Sequence, residues 1–162
     1  HCHRHTNWFQ DLLFTPKVRA TELQFRRTVE EVIEFLELQH YRDSMVAGLP
    51  YGVRKVVEVG RALAMRPKLL LLDEPSSGLN VDETEDMGFW IEDIKHDLGI
   101  TVIMVEHDMG LVSRVSDRVF ALNQGEVLAL GTAAEVQAHP AVIEAYLGGV
   151  DDDAPAAAGA AA

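Results

Sequence analysis

The hydrophobic positions of the chain follow two patterns, which together predict an α/β fold. The runs 69–72 and 101–105 are short and contain no charge, as in β-strands, and the four leucines of the first suit a strand buried on both faces of a parallel sheet. Between them, Val81–Leu98 has apolar residues at helical spacing and is followed by Gly99, which predicts a helix with a C-terminal stop. A strand–helix–strand order makes the two strands parallel neighbours. The helix residues predicted to point inward are Met87, Trp90, Ile91, Ile94 and Leu98.

Local patterns also predict elements on either side of this unit. Arg19–Gln39 has the spacing of an amphipathic helix, whose apolar face is predicted to comprise Phe25, Val29, Val32, Ile33 and Leu36. Apolar residues between 53 and 63 predict a second helix. The downstream predictions are a helical turn at Leu111–Ser116, a hairpin of Val119–Leu122 with Val127–Leu130, a capping box at Thr132 and Glu135, and a short helix from Pro140 toward Leu147.

Two carboxylates, Asp73 and Glu74, follow the leucine run directly. The carboxyl edge of a parallel sheet is where α/β proteins bind ligands. One acid there can hold a hydrated Mg²⁺ while its neighbour acts as a base toward water. Taken alone, the same pattern also fits a buried strand that meets a solvated acidic turn.

The second strand also ends in polar residues, Glu106, His107 and Asp108. If the strands are parallel neighbours, Glu74 and His107 project into the same crevice. A histidine there can hold a phosphate oxygen or an attacking water. Considered as an isolated residue, His107 is more typical of a surface or core-edge histidine than of a ligand.

A third segment, Leu49–Val53, combines Pro50 and Gly52 immediately before the helical spacing of residues 53–63. A glycine at a helix start lets backbone N–H groups approach an anion, and the helix dipole favours negative charge there. The alternative is an ordinary loop-to-helix connection.

In this order, the three segments resemble the ATP-binding subunit of an ATP-binding-cassette (ABC) transporter, over residues 28–149 approximately. Residues 78–80, 105–109 and 139–148 are more narrowly similar to the subunits that energise uptake of branched-chain amino acids. The resemblance implies a partial P-loop NTPase (ABC ATPase) fold, a parallel sheet flanked by helices plus part of the helical subdomain. The expected divisions are 1–65 for the partial helical subdomain, 66–149 for the catalytic α/β core with its hairpin, and 150–162 for a disordered tail.

The resemblance also implies ATP and Mg²⁺ as cofactors and a role for each motif residue. Asp73 would hold Mg²⁺ through water, Glu74 would polarise the attacking water, and His107 would steady the γ-phosphate. The signature loop would contact the ATP of a second subunit, identical or paralogous, and transmembrane permease subunits would complete the importer. The expected nucleotide-contacting residues are Leu49, Pro50, Tyr51, Gly52 and Val53 of the signature loop and Ser77, Gly78, Leu79 and Asn80 of the D-loop.

Three positions depart from the family pattern. Pro50 replaces the usual serine, Val53 the usual glutamine, and Asn80 an aspartate found in many relatives. Losing a hydrogen bond to a charged group costs roughly 1.5–3 kcal/mol, so a slower or looser site is expected. None of the three departures changes Glu74 or His107 themselves, so a subunit that hydrolyses ATP remains the prediction.

No G-x-x-x-x-G-K-[ST] motif, the loop that holds the β- and γ-phosphates, occurs in the sequence. The chain opens at His1 without a methionine and is interpreted as the carboxyl-terminal portion of a longer protein. These 162 residues alone are expected to bind ATP poorly and to hydrolyse none.

The amino-acid composition bears on which partners the protein binds and on where in the cell it lies. With 26 acidic and 14 basic residues, the net charge of −12 disfavours nucleic-acid binding. No apolar stretch approaches the roughly 18–20 residues that span a bilayer, and the single Cys2 suits a reducing compartment. The expected location is therefore cytoplasmic, on the inner face of the membrane, with membrane contact only through the permease.

Three alternatives remain at this stage. One is a non-catalytic cassette subunit that lends only its signature helix to a partner ATPase. Another is a cassette ATPase of DNA repair or chromosome organisation, although the chain lacks the sustained heptads of their coiled coils. The third is an interaction module that uses the acidic helices, which leaves the polar ends of both strands unexplained.

Overall fold

The protein, described by a computed structural model, is defined for the backbone of residues 16–147 and for the side chains of residues 18–146. The described part of the chain divides into two compact units, and the division lies between residues 106 and 107. The tail predicted to be disordered, 150–162, lies outside the described residues.

Within residues 16–106, the first unit contains three α-helices and a two-stranded parallel sheet. Its elements are α1 (Pro16–Phe35), α2 (Tyr51–Leu63), β1 (Leu69–Asp73), α3 (Val81–His96) and β2 (Thr101–Val105), with short 3₁₀ turns at Gln39–Tyr41 and Val46–Gly48. β1 and β2 pair in register from Leu69 opposite Thr101 to Asp73 opposite Val105. The predicted strand–helix–strand unit and its parallel pairing are thus confirmed.

The core of this unit forms where the helices pack. α1 packs on α2, and α3 packs on β2. The close approach of α1 and α2 uses Gly60, because a Cβ there would lie 3.0 Å from the Leu36 side chain. The buried side chains include Leu36, Val56, Val59, Leu63, Leu70, Met87, Ile91, Ile94 and Ile100.

Burial of β1 differs from the prediction. Leu70 is 4% exposed, but Leu71 is 68% and Leu69 48% exposed, so the expectation of a strand buried on both faces is wrong for the described residues. Successive strand side chains alternate between the two faces, and the helices cover only one of them. β2 repeats this, with Ile103 and Val105 more than half exposed.

Two helix predictions need smaller corrections. Leu98, predicted to point inward, is 46% exposed because α3 ends at His96. Val29, assigned to the apolar face of the first helix, is 45% exposed. Gly99 acts as the predicted stop, with a positive φ of 62°, and the Ile100 N–H donates back to the Ile94 carbonyl.

The second unit matches the local predictions closely. Its elements are α4 (Met109–Val115), β3 (Val119–Asn123), β4 (Glu126–Gly131), α5 (Ala133–Gln137) and α6 (Pro140–Leu147). β3 and β4 form an antiparallel hairpin, α5 packs on both strands, and α6 packs on β4. The Thr132–Glu135 capping box is present. None of the helices within residues 16–147 is both long and apolar enough to cross a membrane.

Candidate functional site

The carboxyl end of β1 presents Asp73 and Glu74 together. Asp73 pairs with Val105, and the Glu74 N–H donates to the Val105 carbonyl at 2.9 Å, so strand pairing continues one residue past β1. Both acidic residues are exposed. The two carboxylates are therefore at the sheet edge where the sequence predicted them, accessible to a ligand.

Glu74 has an unusual backbone conformation. Its φ is +45°, a left-handed value that few non-glycine residues adopt. Its carbonyl accepts hydrogen bonds from the Ser77 N–H at 3.1 Å and from Lys55 Nζ at 3.2 Å. The chain therefore turns sharply at Glu74, and both donors stabilise that turn.

Ser76 links this turn to the end of β2. The Ser76 side chain is buried, and its N–H and Oγ both donate to Oε1 of Glu106, at 2.8 and 2.5 Å. Bonds to a carboxylate are stronger than those between neutral groups. Sequence reasoning missed this contact, although the polar residue at the end of the strand was a signal for Glu106 as it was for Asp73.

The predicted signature and D-loop residues meet in the first unit. α2 begins at Tyr51, after Pro50 as its N-cap, and the Tyr51 hydroxyl donates to the Ser77 carbonyl at 3.2 Å. Gly78 has φ +78°, and a Cβ there would lie 2.9 Å from the Tyr51 ring. Ring and backbone are thus in direct contact, which only glycine permits in this conformation.

The other predicted signature residues surround this contact. Leu49 and Gly52 are buried, Val53 is half-buried, and Pro50 is exposed. Pro50 offers α2 no side-chain cap. Leu79 is half-buried, and its N–H donates to the Ser76 carbonyl at 3.0 Å, which continues the turn that starts at Glu74.

Asn80 and Glu83 form a capping box at the start of α3. Asn80 Oδ1 accepts from the Glu83 N–H at 2.9 Å, and Glu83 Oε2 accepts from the Asn80 N–H at 3.0 Å. The Glu83 carboxylate also lies against Gly52, where a Cβ would overlap it. Asparagine caps a helix as well as aspartate does, which gives the departure at Asn80 a structural role. The N-x-x-E spacing was a sequence signal for it.

His107 opens the second unit. Its side chain is exposed, and Asp108 beside it caps α4 by accepting from the Leu111 N–H at 3.0 Å. The convergence of Glu74 and His107 on one phosphoryl group stays a prediction.

The donor groups at Asp73 fit a cation that keeps most of its water. Across residues 16–147, no group of three or more His, Cys, Asp and Glu side chains lies close enough to hold a metal. Mg²⁺ is commonly bound by one or two carboxylates together with water and substrate phosphates. A single exposed carboxylate suits that ion better than a metal that needs a closed set of protein ligands.

Comparisons with known proteins test the family. The family model described as "ABC transporter" matches residues 3–77, and the model described as "Branched-chain amino acid ATP-binding cassette transporter" matches residues 126–152. The chain belongs to the ATP-binding-cassette family. The two matches lie on opposite sides of β2 along the sequence and do not overlap, so two separate parts of the chain support the assignment.

Individual cassette proteins agree with this assignment. The high-affinity branched-chain amino acid transport ATP-binding protein BraF of Pseudomonas aeruginosa is 36% identical over 148 residues, which are 91% of this chain and 58% of BraF. The sulfate/thiosulfate import ATP-binding protein CysA of Methylococcus capsulatus is 36% identical over 143 residues, 85% of this chain and 41% of CysA. Identity alone therefore does not separate the two importer types.

Solved structures support the fold. The ADP conformation of MJ1267, an ATP-binding cassette of an ABC transporter, superposes with a TM-score of 0.72 at 30% identity, covering 77% of this chain and 50% of MJ1267. The cassette fold predicted from the sequence is thus confirmed. The chain spans between about two fifths and three fifths of the length of these relatives.

Proposed function

We propose that the chain belongs to an ATP-hydrolysing subunit that energises an ABC importer of branched-chain amino acids. The observation that carries the proposal is the carboxyl edge of β1, where Asp73 and Glu74 lie beside the contact between α2 and residues 77–78. The match of residues 126–152 to the branched-chain amino acid cassette model favours this class of importer. Hydrolysis is proposed for the full-length gene product, since these 162 residues contain no phosphate-loop motif.

The residues divide the chemistry of phosphoryl transfer between them. Glu74 orients and polarises the attacking water, and His107 donates a hydrogen bond to the γ-phosphate. Asp73 would hold Mg²⁺ through water, and the ion would there supply positive charge toward the phosphate oxygens. The first turn of α2, at Tyr51 and Gly52, offers backbone N–H groups to the ATP of a second subunit.

The proposed partners follow from this division of the site. Two cassette subunits, identical or paralogous, close head-to-tail around two ATP molecules, and transmembrane permease subunits couple their closure to transport. ATP favours the closed pair and hydrolysis releases it, which shifts the permease between two states. The subunit would lie in the cytoplasm against the inner face of the membrane, held there by the permease.

The hydrolysis proposal is tested with the full-length gene product. Glu74→Gln is expected to abolish ATP turnover while ATP binding is retained, because the amide has lost the base. Steady-state phosphate release and fluorescent-ATP binding measure the two properties. Unchanged turnover in Glu74→Gln would refute the assignment of this residue. The isolated 162 residues are expected to show no turnover.

The transport proposal needs a separate test. A deletion strain that carries the gene with Glu74→Gln is expected to lose uptake of labelled leucine, whereas the wild-type gene restores it. Labelled sulfate is the control solute, because CysA is as similar to the chain as BraF. Loss of sulfate uptake with normal leucine uptake would reject branched-chain amino acids as the solute.

A non-catalytic subunit is the second candidate, favoured by Pro50 and Val53 at the signature loop. Neither residue supplies the side-chain hydrogen bond of the family pattern. In that case Glu74→Gln would leave the turnover of a mixed pair unchanged, and all hydrolysis would be due to the partner subunit.

A further inference from the structure

Two side chains of α2 contact the turn that carries Glu74. We propose that Lys55 and Tyr51 form a bridge that positions Glu74, so that the first turn of α2 and the hydrolytic edge of the same chain are coupled. Lys55 Nζ donates to the Glu74 carbonyl at 3.2 Å, and the Tyr51 hydroxyl donates to the Ser77 carbonyl at 3.2 Å. The inference rests on the proposed function, in which both ends of the bridge contact ATP.

Lys55 acts on the backbone of Glu74. The left-handed conformation at Glu74 is costly for a residue with a Cβ and persists only when surrounding contacts fix it. The Lys55 ammonium and the Ser77 N–H both donate to the Glu74 carbonyl. A charged donor contributes more than a neutral one. Lys55 therefore helps to keep the Glu74 backbone in the conformation that aims its side chain.

Tyr51 fixes the other end of the bridge and orients Lys55. Its ring lies against Gly78, and the Lys55 ammonium is 6.0 Å from the ring centroid, at the limit of cation–π attraction. A displacement of the first turn of α2 would therefore move both donors together. Because both side chains extend from one continuous helix of 13 residues, we expect the two contacts to shift together.

The bridge has a consequence for the proposed pair of subunits. The first turn of α2 serves one ATP site and Glu74 serves the other, so a bridge within one chain connects the two sites. Occupancy of one site would then change the geometry of hydrolysis at the other, which appears as cooperativity in ATP. Lys55 is a positioning residue in this scheme, since it acts on the reaction only through Glu74, and the Tyr51 side chain acts in the same way although its backbone N–H is offered to ATP.

The test uses the full-length gene product with Lys55→Met, which keeps the length of the side chain and removes its charge. The expected result is a fall in kcat of about tenfold, a barrier change of about 1.4 kcal/mol, with KM for ATP within about twofold and a Hill coefficient closer to 1. Lys55→Arg, which retains a donor, should restore most of kcat. Arg61→Met is the matched control, because Arg61 is an exposed cation on the same helix.

A second measurement is independent of turnover. In the nucleotide-free protein, Lys55→Met and Tyr51→Phe should each raise amide hydrogen exchange at Ser77 several-fold, whereas Arg61→Met should not. Tyr51→Phe keeps the ring on Gly78, so the fold is retained while the hydroxyl is lost. Unchanged exchange at Ser77 in both variants would overturn the bridge.

The two proposals fail in different ways. If Glu74→Gln retains full turnover, the hydrolytic role of Glu74 is wrong, and the exchange data alone decide whether the bridge exists. If Glu74→Gln is inactive but folded Lys55→Met has wild-type kcat and Hill coefficient, the functional bridge is wrong and the hydrolytic role stands.

Discussion

Glu106 accepts two hydrogen bonds from one buried residue, which makes Ser76 a local stabiliser of the turn beyond Glu74. Ser76→Ala removes the Oγ donor and keeps the N–H donor. We expect it to lower the free energy of unfolding by about 1–2 kcal/mol, since the lost bond is to a carboxylate. Urea unfolding of the full-length protein measures this.

A double-mutant cycle separates this bond from general packing effects. Ser76→Ala should cost little more in a Glu106→Ala background, because the acceptor is already absent. Ser44→Ala is the control, because Ser44 is exposed and its hydrogen bond to the Tyr41 carbonyl is donated by the backbone N–H, which the substitution keeps. Equal costs of Ser76→Ala in both backgrounds would show that the bond contributes nothing.

Glycine is needed at position 52 because the Glu83 side chain leaves no space for a Cβ, and not because of the backbone conformation there. A Cβ at residue 52 would lie 2.6 Å from Cδ of Glu83, so Gly52→Ala must displace that side chain from its bond with Asn80. We expect a loss of about 1 kcal/mol in the wild-type background. In Glu83→Ala the same change should become stabilising by up to about 1 kcal/mol, because alanine is then the better helix former. The same sign in both backgrounds would contradict the explanation.

At the scale of elements, the β3–β4 hairpin has a loop residue that does not suit its conformation. Gln124 (φ +48°) and Gly125 (φ +87°) both have positive φ, as in a type I′ turn. Asparagine tolerates this conformation better than glutamine. Gln124→Asn should therefore raise the free energy of unfolding by about 0.5 kcal/mol, and Gly125→Ala should lower it by at least about 1 kcal/mol. Thermal unfolding of the two variants checks whether one is stabilised and the other destabilised relative to the wild type.

The cap of α5 makes stability depend on pH. Hydrogen bonds from the Thr132 backbone and hydroxyl hold the pKa of Glu135 below its usual value. A carboxyl with a lowered folded-state pKa stabilises the fold above its unfolded pKa, about 4.3, and loses that contribution as pH falls through the folded value.

Glu135→Gln should therefore lower the melting temperature at neutral pH, and its effect should shrink as the pH falls from the unfolded-state pKa through the lower folded-state pKa. Glu126→Gln is the control, since Glu126 is an exposed carboxyl at the start of the neighbouring strand β4. A Glu135→Gln effect that is constant from neutral to strongly acid pH would disagree with this prediction.

The elements that the sequence predicted well are those that depend on interactions between residues close together in the chain. The Thr132 capping box, the Gly99 stop and the hairpin each depend on residues a few positions apart. The contacts that were missed join distant residues: Tyr51 to Ser77 across 26 positions, and Ser76 to Glu106 across 30. No local pattern encodes such pairs, so the family resemblance grouped these motifs but did not predict their hydrogen bonds.

For the whole molecule, the uncovered face of the β1–β2 sheet is the feature that bears most on behaviour in solution. Leu71 and Leu69 share that face with exposed apolar residues of β2, Ile103 and Val105. Each of these side chains is between 48% and 68% exposed. Contiguous exposed apolar surface on a sheet promotes association between molecules. The 162-residue chain expressed by itself should consequently self-associate despite its net charge of −12.

Leu71→Lys tests this at the most exposed of these positions. In the 162-residue chain it should lower light scattering and the binding of an apolar dye, with little change in unfolding, because the side chain is already in contact with water. Leu70→Lys is the matched comparison on the buried face, and it should destabilise the chain strongly because it buries an unpaired charge. If further chain covers this face in the full-length gene product, Leu71→Lys should lower its free energy of unfolding by several kcal/mol, because the charge would then be buried. Equal effects of Leu71→Lys in the two proteins would mean that this face stays open in both.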